Sequence, residues 1–529
     1  MKCTPKTPNS SGLDEPGPRL KVLMGSLEHY GRAQSLVAIA SELIRRGHEV
    51  TFAASHKFVP KIRSMATGEH ASKMHVVGLG DASEDTDESN EQLNNKLRSE
   101  FTKEENSDKL SIVRLVCAAL ANDALDMAPQ YRKLIVESNF DMIVSDVSSP
   151  ALMWGNEMAG HKKLPVVVNH PILAQGELSF TEHQGGYYPS ANERVMDDGS
   201  FSARVKNVVR RRIGRTVLQH TLSSIFNPAR SKLGLPPHLN QYPTIVGSAF
   251  GFELPHELPP HMKHFGPMID ESTVSWDLAE KDPHVQWASD GKICPEGTFL
   301  VSLGTSVRLD AGELNSLADA LIEASTNVTE ICFLWSLKED QQNLLHESAF
   351  VTLNKNPHFK FATFVQTRLF LRWAPVVGHL SHGGVASVSE SLYFGVPLVV
   401  LPFLFDQVDL AARVAHAGAG VDIGPDRPHN SDNVRRGIIA VITDSKYRHG
   451  AEKVGRIFRH AGGVKYAADL VESVHQLGAE HLMPLPYRNN APWYAHTDTD
   501  VVVVLTGVGL IFVVAIVCCL LSCMRRVRK

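Results

Sequence analysis

One pattern constrains this chain more than any other: a short apolar run, a helix-period segment and a second apolar run, recurring in both halves. "LKVLMGSL" (Leu20–Leu27) ends at a Gly-Ser pair, "AQSLVAIASELIRRG" carries apolar residues at helical spacing, and "HEVTFAAS" follows as a second strand. The order returns at "FDMIVSD", "ALMWGNEMAGHKK" and "LPVVVNH". It returns again at "GTFLVSLGTS", "AGELNSLADALIEAS" and "ICFLWSL", and at "VVGHLSH", "SVSESLYFG" and "PLVVLPF". Strands that are apolar throughout, alternating with amphipathic helices, predict parallel sheets covered on both faces. The fold class expected is therefore α/β, with two Rossmann-like doubly wound domains. At 529 residues the chain is also too long for one ordinary core.

The expected boundaries are a polar extension over 1–19, an N-terminal domain over 20–250, a linker over 251–290 and a C-terminal domain over 291–482. The linker is rich in Pro and His and lacks periodicity. Two insertions interrupt the first domain. Residues 81–109 are acidic and polar and read as a surface loop. Residues 201–226 combine Arg and Lys with Val, Ile and Leu, which suits a helix lying on a membrane surface or a plain packing helix.

After a juxtamembrane segment (483–500), residues 501–524 form an uncharged apolar run long enough to cross a bilayer as a helix, and "RRVRK" (525–529) closes the chain. Positive residues favour the cytosolic side, which puts the domains in a lumen. The polar, Pro-rich start has no apolar core of a secretory signal, which argues for the cytosol instead. The side of the membrane stays open on these grounds, with the endoplasmic reticulum as the expected membrane. The sequon at Asn327-Val328-Thr329 would be used only in a lumen.

Composition excludes several classes. A net charge of −4 exerts no general pull on nucleic acid, and the Arg210-Arg211-Arg212 run has no interleaved aromatics. The seven cysteines contain no C-x-x-C pair, so neither structural zinc nor a disulfide framework is expected. "HELPPH" (His256–His261) has the wrong spacing for a zinc protease, and its prolines forbid the helix.

In open α/β sheets, ligands sit beyond the carboxyl ends of the strands. "SLGTS" offers Gly304, Thr305 and Ser306 for close approach to an anion. "SHGGVAS" offers His382, Gly383, Gly384 and Ser387 at a helix start, where free N–H groups favour phosphate. Glu390 lies on that helix and can accept from ribose hydroxyls; Asp406 and Gln407 follow the next strand and suit a second polyol. Diphosphate, ribose and a further sugar together make a nucleotide-sugar.

The stretch "SHGGVASVSESLYFGVPLVVLPFLFDQ" resembles the signature of the UDP-dependent glycosyltransferases of the two-domain GT-B type, in particular the membrane-anchored UDP-glucuronosyltransferase branch. "RRGHEVTFAAS", "SLGTS" and "PWYAHTDTDVVVV" also match, so the resemblance spans roughly residues 20–524. It implies that His382, the glycine turn, Ser306 and Ser387 hold the diphosphate. Glu390 would hold the ribose, and Asp406 and Gln407 the transferred sugar. "FVQT" stands where the family has W-x-P-Q, making Phe364 the candidate to stack on uracil, with Gln366 beside it.

The implied reaction is metal-independent inverting transfer to a hydroxyl, with no cofactor besides the UDP-sugar co-substrate. Lipophilic small molecules are the expected acceptors; membrane lipid and a homo-oligomer are further expected partners. Asp146 matches the family's orienting acid, but its catalytic His position falls on Arg32, which cannot act as a base. His29, three residues earlier, is the candidate replacement; otherwise it packs or caps. A nucleotide-sugar-binding protein with weak or no transfer is the alternative. Ala386 and Leu410 stand where many members have Asn.

Overall fold

A computed structural model describes residues 18–80, 109–171, 200–237, 241–304, 307–403, 406–424, 430–483 and 499–527. The acidic stretch, apart from Lys109, lies outside the described residues, as do Thr305 and Ser306.

The first sheet is seven-stranded and parallel, in the order β3-β2-β1-β4-β5-β6-β7. Its strands are β1 (Lys21–Gly25), β2 (Glu49–Ser55), β3 (His75–Leu79), β4 (Met142–Asp146), β5 (Val166–His170), β6 (Thr244–Val246) and β7 (Met262–His264). The helices used below are α1 (Tyr30–Arg45), α2 (Val59–Met65), α3 (Lys109–Glu137), α4 (Pro150–Met158) and α5 (Phe201–Lys232). Strands β4 and β5 are buried at every residue, the burial their unbroken apolar runs demand.

The second sheet is six-stranded, in the order β10-β9-β8-β11-β12-β13. It comprises β8 (Thr298–Ser302), β9 (Cys332–Ser336), β10 (Phe359–Ala362), β11 (Val376–Ser381), β12 (Leu398–Val400) and β13 (Gly420–Asp422). Around it lie α6 (Ala311–Asn327), α7 (Thr367–Trp373), α8 (Val385–Tyr393) and α9 (Asp406–His416). Helix α6 starts with a capping box, Asp310 accepting from the Glu313 amide while Glu313 reaches back to the Asp310 N–H. Two parallel-sheet α/β domains are thus present, each with the strand-order reversal that opens a crevice at the carboxyl ends.

Three features depart from the expected organisation. Met262–His264 pairs with β6 and closes the first sheet, inside the stretch read as linker. Helix α10 (Val464–Leu477), from the end of the second domain, packs Ala467, Leu470, Val471 and Val474 into the core of the first. Arg46 clamps it there through Asp469 and Glu472 at 2.6 and 2.9 Å.

The third is a correction to the cysteine reading. Cys294 and Cys332 form a disulfide across 38 residues of sequence, with Cα atoms 5.3 Å apart. The parallel crossover returns β9 beside the start of β8, and sequence spacing carries no trace of that proximity.

The C-terminal helix α11 (Thr499–Val527) contains an apolar stretch, Asp500–Leu521, with mean hydropathy 3.1 and none of it buried. By length and composition it can cross a membrane. Helix α5 is continuous through the basic insertion and exposes Phe201 and Ile213.

Candidate active site

The site is built at both strand-order reversals. In the first sheet the order reverses between β1 and β4; His29 follows β1 and Asp146 ends β4. In the second it reverses between β8 and β11; Gly304 follows β8 and His382 follows β11.

Gly383 adopts φ +82°, a left-handed turn that suits glycine, and Ser381 Oγ accepts from its amide at 3.2 Å. Gly384 is the N-cap of α8, with no side-chain cap and no acidic residue in the first turn, so that helix end is open to an anion. The His382 ring lies between Gly304 and Gly384. A Cβ on Gly304 would stand 2.7 Å from its Cε1, and one on Gly384 would collide with Nε2.

Burial, then the nearby His29, lowers the His382 pKa to about 4, so the ring is neutral at pH 7. Its buried Nδ1 has no hydrogen-bond partner among the described residues. Behind it, His379 Nδ1 and Ser391 Oγ lie 2.7 Å apart, tying β11 to α8. Ser387 stands half-buried in the first turn of α8.

Glu390, buried on α8, is gripped by Arg368 Nε of α7 at 2.6 Å. Burial pushes the Glu390 carboxyl above its usual range, and Arg368 opposes that rise. Arg368, the partner of candidate Glu390, was missed in the sequence reading. Tyr30 from the first domain joins this cluster, its phenol raised by burial and then by Glu390. Phe364 is 52% exposed, leaving a free aromatic face, and Gln366 is an exposed N-cap of α7. Asp406 begins α9 half-buried; Gln407 beside it is buried, its Oε1 accepting from the Phe403 amide at 2.8 Å.

His29 is the N-cap of α1 and keeps an open surface in the cleft. The surrounding protein, then Arg32 and Lys61, lower its pKa, with Asp146 pulling the other way. Asp146 is fully buried; its Oδ1 accepts from the Ser148 amide at 2.8 Å. Its Oδ2 faces Arg32 Nη1 at 3.8 Å and accepts no hydrogen bond from the described residues. The Asp146 carboxylate is therefore turned to Arg32.

Across the domain interface, a Cβ on Gly31 would stand 3.1 Å from that of Ala386. The first turns of α1 and α8 thus face each other, and a bulkier residue at 386 would crowd α1. Among the described residues no group of three or more His, Cys, Asp or Glu side chains is arranged to hold a metal.

Comparison with known proteins decides the family. The model of the family described as "UDP-glucoronosyl and UDP-glucosyl transferase" matches residues 21–529. This chain belongs to that family. Human UDP-glucuronosyltransferase 2B10 is 25% identical over 551 residues, covering 96% of this chain and 94% of its own. A UDP-glycosyltransferase of Talaromyces amestolkiae is 26% identical over 46% of this chain and 49% of its own.

Among solved structures, the kitacinnamycin glycosyltransferase superposes with TM-score 0.57 at 18% identity, covering 88% of this chain and all of that one. The calicheamicin glycosyltransferase CalG4 gives TM-score 0.54 at 17% identity, covering 87% of this chain and 99% of that one. The fold of this UDP-glycosyltransferase is GT-B, and the enzyme transfers a sugar from a UDP-sugar donor.

Proposed function

We propose that this UDP-glycosyltransferase moves a hexose or hexuronate to a hydroxyl of a small lipophilic acceptor, inverting the anomeric carbon and needing no cofactor or metal. The observation that carries this reading is the meeting of the two helix starts, which brings His29 within electrostatic reach of His382. The open N-terminus of α8 takes the diphosphate, with Gly304, Gly383, Gly384 and Ser387 around it and Thr305 and Ser306 as further donors by sequence, and it absorbs the charge of departing UDP. Glu390, held by Arg368, accepts from the ribose hydroxyls; Phe364 stacks on uracil, with Gln366 at the rim. Asp406 and Gln407 hold the transferred sugar. His29, uncharged at pH 7, takes the acceptor proton while Asp146 steadies the resulting charge through space.

The test is mass-spectrometric detection of product from protein lacking residues 499–529, offered a panel of UDP-sugars and a pool of lipophilic alcohols and phenols. A glycosylated product supports the reading and names the sugar. Absence of product in a preparation that binds UDP overturns it. The second reading, a nucleotide-sugar-binding protein without transfer, is favoured by Arg32 occupying the base position beside Asp146.

We place the domains in the lumen of the endoplasmic reticulum. The Cys294–Cys332 disulfide belongs to an oxidising compartment, and the basic tail to the cytosol. Exposed Phe201 and Ile213 on α5 would rest against lipid. Asn327 is exposed at the end of α6, so a mass shift on glycosidase treatment tests the topology.

A further inference from the structure

The connection from β6 to β7 is one place where the first domain is bolted to the second. Glu253 is buried there against Arg413 of α9 at 2.6 Å, and its other oxygen accepts from Ser248 Oγ at 2.7 Å. Phe252 packs on Phe458 with ring centroids 5.5 Å apart, and Gly251 lies against Ile457. Both of these partners belong to the second-domain helix Ser445–His460.

At the edge of this joint three rings form a cluster. The His256 and His264 centroids are 5.6 Å apart, and that of Phe250 lies 5.0 and 4.7 Å from them. His256 Nδ1 donates to the Leu254 carbonyl at 2.7 Å. Both histidines are half-buried and Phe250 is 45% exposed, so water reaches the rings.

Few charges face the pair. Burial lowers the pKa of both rings; Glu253 opposes that shift and Arg413 adds to it. Asp409, one turn before Arg413 on α9, is buried as well, as is His261 at the start of β7. Glu257 and Lys263 of the connection are exposed. From the helix Ser445–His460 the facing side chains are the apolar Ile457 and Phe458, Arg459 donates to the Tyr393 carbonyl, and His460 is exposed.

We propose that this ring cluster is a pH-sensitive latch on the donor site: protonated His256 and His264 compete with Arg413 for Glu253 and loosen α9. The inference rests on the reading above that Asp406 and Gln407, the first residues of α9, hold the transferred sugar. With neutral rings, one carboxylate answers one guanidinium. With both rings protonated, three cations face Glu253 in a joint taken out of water, where their repulsion is poorly screened. The sign follows from linkage. The closed joint binds protons less readily than free imidazole, so its stability is full above pH 6.5 and is lost as pH falls below that value. UDP itself, held at α7 and α8, makes no use of α9.

The test uses the full-length protein in detergent, at about pH 7.5 and about pH 5, on either side of the ordinary imidazole range. Calorimetry measures UDP, UDP-glucose and UDP-glucuronate, and hydrogen exchange follows the β6–β7 connection and α9. The expected result at acid pH is a loss of about tenfold in affinity for the preferred UDP-sugar, the linkage of one pKa unit. Affinity for UDP holds, and exchange rises in both segments. The double variant His256→Asn/His264→Asn keeps the neutral-pH affinity and loses the acid response. Each single variant, which serves if the double one does not fold, shows a reduced response.

An acid response of wild-type size in the folded variants would overturn the latch and assign the titration to His29 or His382. A loss shared equally by UDP would overturn it too, as would exchange that stays level while affinity falls. Rising exchange in the wild type alone, with UDP-sugars bound no differently at either pH, would support the latch and overturn the place of Asp406 and Gln407 in the donor site.

Discussion

At Gly304 and Gly384 the lack of a side chain lets the His382 ring lie flat between the two loops. Gly304→Ala would add a methyl 2.7 Å from that ring at a φ of +74°, where an L side chain is strained. The UDP-sugar KM should rise at least tenfold with overall stability changed by only about 1 kcal/mol, read by initial rates and thermal melting. At His29 the sign of the pKa shift sets the pH profile. Its pKa is lowered from 6.5, and in the proposed reaction the neutral imidazole is the base. Transfer to alcohols should therefore stay level across neutral pH and fall only below the ordinary imidazole range. His29→Gln should cost about 10²- to 10⁴-fold in kcat for alcohols with UDP affinity retained; a small loss would return His29 to a packing role. The candidates at these positions were legible from motif spacing. Arg368 was not, because its meaning comes from Glu390, 22 residues away and one helix over.

At the scale of elements, the joints between helices and strands carry charge that has been taken out of water. Glu253, between β6 and β7, and Arg413, on α9, pair at 2.6 Å with 0% and 1% of their side chains exposed, and Ser248 Oγ donates to Glu253 at 2.7 Å. This joint fixes α9, whose first residues are Asp406 and Gln407, against the β6–β7 connection of the first domain. Removing one partner strands a buried charge. Arg413→Ala should destabilise the protein by about 3–5 kcal/mol in chemical denaturation, whereas replacing both residues with apolar ones of similar volume should cost much less. Equal losses in the single and double variants would show that the joint contributes through packing alone.

At the scale of the molecule, the domains do not divide where the chain composition changes. Helix α10 packs on α1 and contributes Ala467, Leu470, Val471 and Val474 to the first core, so residues 18–290 expressed alone would expose an apolar face. That fragment should aggregate, and the same fragment fused to residues 464–483 should remain soluble in sedimentation. Solubility of the short fragment would show that the core closes without α10. The apolar helix α11 stands apart from both cores, 0% buried over its span. Truncation before Thr499 should move the protein from membrane to supernatant with UDP binding intact.

Fold class and family were written in the sequence itself, and so were the candidates for the donor site, because apolar periodicity and motif spacing act over a helix turn or one strand–helix–strand unit. The short strand β7, the placing of α10 and the Cys294–Cys332 bond all needed the chain to return on itself, and sequence separation does not encode such returns. The same holds for the two points that bear most on chemistry. Arg32 could be read in sequence as a missing base, but only the folded crevice shows its guanidinium facing Asp146 with no hydrogen bond made to the described residues. Gly31 and Ala386 are ordinary small residues until two sheets set their helices end to end. Side-chain chemistry is local and legible; which groups share one low-dielectric cleft is decided by packing between domains.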